Sequence, residues 1–128
     1  MVTLSKFLLS GILFLLTLVF GIWLSLSGKP YNGFLFNIHK LIALGSVVAS
    51  AFQLYRLLMG SQVQTFMLIL IIMAGMCLLA LFFSGAMMSA GKLDYQGMLT
   101  THRIALIILT LGLVGILYLL TGKKLASQ

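Results

Sequence analysis

Two histidines, His39 and His102, lie inside long apolar runs of this 128-residue chain. Each sits a short way into its run, roughly 8–9 Å along a helix that rises about 1.5 Å per residue. An ionisable side chain at that depth in a bilayer is expensive and marks a functional candidate. Imidazole can ligate a metal, carry a proton or hydrogen-bond a neighbouring helix. The rest of the inventory narrows the choice. The chain has one cysteine, Cys77, and one acid, Asp94. That excludes an internal disulfide and any paired-cysteine redox motif, and it leaves no carboxylate pair or nucleophile–base–acid set for hydrolysis.

The elements that hold these histidines follow from composition. Apolar residues make up 62% of the chain and charged residues 7%, against roughly 45–50% and about 25% in soluble domains. A soluble globular domain, a disordered chain and a nucleic-acid module are excluded, even with a net charge of +7. Four stretches, 4–26, 34–58, 63–89 and 97–121, are each long enough to cross a hydrocarbon core of about 30 Å. Continuous rather than alternating apolar character selects helices over barrel strands. Turn chemistry separates them at Ser27-Gly28-Lys29-Pro30-Tyr31-Asn32-Gly33, Met59-Gly60-Ser61-Gln62 and Ser89-Ala90-Gly91-Lys92-Leu93-Asp94. The first stretch imitates a secretory signal, but its apolar run exceeds the roughly 7–15 residues of a signal core and reads as a retained span.

A shift of 63 residues aligns the chain with itself. It carries His39 onto His102, Gly28-Lys29 onto Gly91-Lys92, Lys40 onto Arg103, Leu54-Tyr55 onto Leu117-Tyr118 and Phe20 onto Phe83. Matched leucines count for little in such a composition, whereas both histidines and two of the four tyrosines fall in one register. The expected fold is therefore all-α: an integral membrane four-helix bundle, up-down-up-down, built from two tandem two-helix repeats in a single transmembrane domain, 1–128. Repeats of two spans share an orientation and are related by an axis along the membrane normal.

In such a bundle the second and fourth spans are diagonal neighbours, and both imidazoles lie at one depth. They are placed to supply both axial ligands of one haem iron. A porphyrin so held meets the first and third spans near Gly21 and near Ser84 and Gly85, where small residues admit a flat macrocycle. Lys29, Lys40, Lys92 and Arg103 gather at the same end, suited to charge-assisted bonds with haem propionates. Lacking a Cys-x-x-Cys-His motif, the chain would bind haem b non-covalently. The competing readings are plainer: helix–helix hydrogen bonding for the histidines, close crossings for the small residues, and interfacial anchoring for the cations. Cys77 and the eight methionines read as packing residues. Tyr55 and Tyr118 read as interfacial belt residues or quinone contacts.

The strings Phe36-Asn37-Ile38-His39-Lys40-Leu41 and Thr100-Thr101-His102-Arg103-Ile104 resemble the histidine-bearing helices of small membrane b-type cytochromes. The layout is similar to cytochrome b-561-like proteins and to uncharacterised four-helix bacterial membrane families. The resemblance implies electron transfer, with His39 and His102 as axial ligands. It also departs from two-haem members, which need four histidines.

The expected function is electron transfer in the lipid bilayer with a quinone or a redox partner, either alone or as a subunit of a larger membrane complex, with no nucleic-acid role. Two alternatives compete: a cofactor-free accessory subunit of a membrane complex, and a small His-dependent transporter. On the positive-inside rule, Lys6, Arg56, Lys123 and Lys124 place both termini in the cytoplasm. Haem then lies toward the outer face of a bacterial inner membrane.

Overall fold

The computed structural model describes residues 2–60 and 62–125. Among these residues the fold is all-α, with four helices: α1 (Val2–Ser27), α2 (Gly33–Gly60), α3 (Thr65–Ala90) and α4 (Tyr95–Leu125). In hydrocarbon every backbone N–H and C=O must be satisfied within the segment, and a continuous helix does this without outside partners. The shortest helices, α1 and α3, have 26 residues each, or about 39 Å at the standard rise. All four are long and apolar enough to cross a membrane, which by length and composition makes this an integral membrane protein.

The chain divides into two compact units, Met1–Gln62 and Val63–Gln128. Each is a helical hairpin, α1 packed on α2 and α3 packed on α4. The partners run antiparallel. In the second hairpin a Cβ on Gly85 would meet His102, one on Gly112 would meet Met73, and one on Gly115 would meet Leu70. Advancing along α4 thus retreats along α3. The expected spans match these helices to within a few residues. Ser61, in the expected turn between the units, lies outside the described residues.

Both hairpin turns begin the same way. Gly28 (φ 69°) and Gly91 (φ 63°) adopt the left-handed conformation just past α1 and α3, which lets the chain leave a helix without the Cβ clash of other residues. Each following helix then begins on a side-chain cap. Asn32 Oδ1 accepts the backbone N–H groups of Phe34 (2.9 Å) and Leu35 (3.4 Å). Asp94 Oδ2 accepts the N–H of Gly97 at 2.8 Å. The chain's single acid is therefore a helix N-cap, whose carboxylate also suits the positive end of the helix dipole.

Candidate functional site: two capped imidazoles

Each histidine docks on the other helix of its own hairpin. His39, on α2, points its Nδ1 at the backbone carbonyl of Thr17 on α1, 3.0 Å away. A carbonyl oxygen only accepts, so Nδ1 must carry the proton. The Thr17 carbonyl lies within α1, and its second lone pair accommodates the imidazole. Access depends on Gly21, one turn further along. A Cβ there would stand 3.0 Å from His39 Cε1, close enough that the ring would have to give way by a few tenths of an ångström.

His102, on α4, meets a hydroxyl instead. Its Nδ1 is 2.9 Å from Ser84 Oγ. The same hydroxyl is 2.7 Å from Ala80 O and 3.2 Å from Leu81 O within α3. With its single hydrogen on Ala80 O it accepts from Nδ1–H of His102; in the other tautomer of the ring it donates to Nδ1. Ser84 is fully buried. Gly85 lies beside the ring, where a Cβ would make an ordinary 3.7 Å contact with His102 Cε1.

The Thr17 carbonyl thus sets the neutral His39 ring in its Nδ1–H form, with the lone pair on Nε2. Fixing one ring nitrogen with a hydrogen bond while the other offers its lone pair is how proteins prepare histidine as a metal ligand. Among the described residues no group of three or more His, Cys, Asp or Glu comes together.

The other expected site residues fall as follows. Gly21, Ser84 and Gly85 lie at the histidine level, and within the hairpins the imidazoles themselves rest against them. Lys29 and Lys92 are exposed in the equivalent turns, and Lys40 and Arg103 are exposed one residue past each histidine. Lys40 Nζ lies over the Phe36 ring, 4.2 Å from its centroid, and Phe36 stacks on Tyr31 at 6.3 Å. Two residues of the first quoted string therefore form a cation–π pair beside the histidine. In the second string, the Thr100 and Thr101 hydroxyls bond back to Gln96 and Gly97 carbonyls at 2.9 Å each, so they support α4. At the opposite end of the first hairpin, Arg56 lies over Phe52 at 4.4 Å. The side chains of Lys123 and Lys124, used in the topology expectation, lie outside the described residues.

Sequence reasoning missed the anchoring of both rings at Nδ1, and it missed the Thr17 carbonyl altogether. A backbone acceptor has no residue signature; only the glycine one turn later marks it. No protein-family model, curated protein or solved structure matches this chain.

Proposed function

We propose that the protein is a membrane b-type cytochrome in which His39 and His102 are the axial ligands of one non-covalent haem b. The observation that carries this reading is the matched pair of imidazoles. One comes from each repeat, and each has its Nδ1 engaged by the partner helix of its own hairpin. Such a donor set fits a six-coordinate haem iron, which has no open axial position and favours electron transfer over oxygen chemistry. The haem supplies one-electron redox chemistry when bound. The chain's residues hold the ligand rings by Thr17 O and Ser84 Oγ, and offer propionates the cations Lys29, Lys40, Lys92 and Arg103.

On this reading the redox partner is a quinone or another protein of a respiratory complex. Both termini lie in the cytoplasm of a bacterial cell, and the haem stands toward the outer face. A reduced-minus-oxidised absorbance spectrum of purified protein, expressed with haem supplied, tests it. A b-type band that His39→Ala or His102→Ala each abolishes is the expected result, and a colourless wild-type protein refutes the proposal.

The same hydrogen bonds favour a second reading, in which each histidine is a clasp between two helices of a cofactor-free accessory subunit. That reading predicts colourless protein that co-purifies with larger membrane partners. Its histidine variants loosen a hairpin without changing any spectrum.

A further inference from the structure

We infer that Ser84 is the positioning residue of His102: its hydroxyl bridges the imidazole to the same helix carbonyl that histidine reaches directly in the other hairpin. The repeat register makes the equivalence explicit. Thr17 corresponds to Ala80, Gly21 to Ser84 and His39 to His102. In the first hairpin the acceptor is Thr17 O, reached at 3.0 Å across a position with no side chain. In the second, the matching Ala80 O is 2.7 Å from Ser84 Oγ, and that oxygen is 2.9 Å from His102 Nδ1.

A serine bonding its own i−4 carbonyl is common in helices and by itself assigns nothing. Here the oxygen has a second partner, is fully buried, and completes the same connection by one extra atom. Donating to Ala80 also polarises the hydroxyl and makes it a better acceptor for Nδ1–H. Glycine and serine at positions 21 and 84 are thus two solutions to one requirement, holding the ring with its lone pair on Nε2. Alanine is a solution to neither, since it brings a Cβ without an acceptor. As a statement about haem ligation this rests on the proposed function. As a statement about the imidazole it does not.

The test is the histidine ring 15N spectrum of the full-length protein in lipid bilayers, prepared without haem, at a pH well above the imidazole range. Wild type is expected to show both rings as single Nδ1–H tautomers. In Ser84→Ala, His102 loses this contact at Nδ1 and its Nδ1–H signal falls while that of His39 is unchanged. In Ser84→Gly, His102 reaches the Ala80 carbonyl directly and the single Nδ1–H signal returns. An unchanged His102 signal in Ser84→Ala overturns the assignment, as does failure of Ser84→Gly to restore the tautomer where alanine has disturbed it. Should Ser84→Ala not fold, Ser84→Gly decides alone: a His102 ring carrying its proton on Nε2 overturns the inference. Because haem is absent from the measurement, a colourless protein in the absorbance experiment refutes the proposed function without changing this outcome.

Discussion

The two hairpins hold their histidines alike and the rest of their seams differently. In the first, the face of α2 that carries His39 continues at seven-residue intervals through Ser46 and Gln53. The facing side of α1 carries Ser10 and Thr17. Ser10 and Ser46 are buried, 5% and 6% exposed. The second hairpin has Met73 and Ala80 at the α3 positions, and Leu109 and Ile116 at the α4 positions. Leu109 and Ile116 are buried, 3% and 8% exposed. One copy thus has a polar seam and the other an apolar one, around the same imidazole station. The shared features are the left-handed glycine after the first helix, the basic residue after it, and the histidine held at Nδ1 by the partner helix, on Thr17 O in one hairpin and on Ser84 Oγ in the other. Retention of that set while its surroundings diverged in polarity separates what positions the imidazole from what merely packs the hairpin.

The largest contrast should appear on truncating the equivalent seam residues Leu109 and Ser46. Leu109→Ala removes a buried side chain and is expected to cost about 2–4 kcal/mol, through lost packing and the cavity left behind. Ser46→Ala removes one oxygen and should change stability by less than about 1 kcal/mol. Thermal unfolding of the full chain in detergent, followed by helical circular dichroism, reads both. Equal losses would show that the seams are energetically alike despite their chemistry.

Next comes the pair that tests the imidazole station itself. Gly21→Ala forces His39 away from its 3.0 Å approach. Overpacking of this kind costs about 1–3 kcal/mol, against about 1 kcal/mol gained from the better helix former. Gly85→Ala makes only the ordinary 3.7 Å contact with His102 and should be neutral or stabilising by up to about 1 kcal/mol. If the proposed function holds, Gly21→Ala also weakens haem retention in the first hairpin's ligand while Gly85→Ala leaves it intact. Haem loss to apomyoglobin, followed by absorbance, compares the two. Matching behaviour would remove the distinction between a glycine that seats the ring and one that lies beside it.

These contrasts mark where the sequence was legible and where it was not. The four helices were readable because length and continuous apolarity suffice in a bilayer. Depth was readable too: counting residues inward from the turns put Gly21, Ser84 and Gly85 at the histidine level, where they are found. Rotation about the helix axis was not readable, since nearly every face of these helices is apolar. The same residues were therefore assigned to a porphyrin face without any indication that the imidazoles rest on them. Asp94 was read as the chain's single acid and as part of a turn, yet its oxygen caps α4 at Gly97. That cap begins α4 at Tyr95, two residues before the expected span.

A control follows from what the hairpins share. Gly28 and Gly91 occupy the same left-handed conformation, and neither would meet a neighbour on gaining a Cβ. Replacement by alanine should cost about 1–2 kcal/mol at each, from backbone strain alone. Equal drops in unfolding temperature for Gly28→Ala and Gly91→Ala would confirm that the turns are equivalent. A marked inequality would show that one turn carries a constraint the other lacks.

The smallest effect concerns Ser10, whose Oγ is buried and the one such side-chain atom without a hydrogen-bond partner among the described residues. A hydroxyl taken out of water without compensation carries a desolvation penalty of about 1–3 kcal/mol. If that penalty stands, Ser10→Ala should stabilise the first hairpin, by up to about 1 kcal/mol once the lost packing of the oxygen is offset. If a water bridges the hydroxyl to another group of the polar seam, the substitution should be neutral or destabilising instead. At the equivalent position of the second hairpin, Met73→Ala should only destabilise, because a side chain is lost there and no polar atom is released. Opposite signs at these two positions would establish that the polarity of the first seam is carried at an energetic cost which its apolar counterpart avoids.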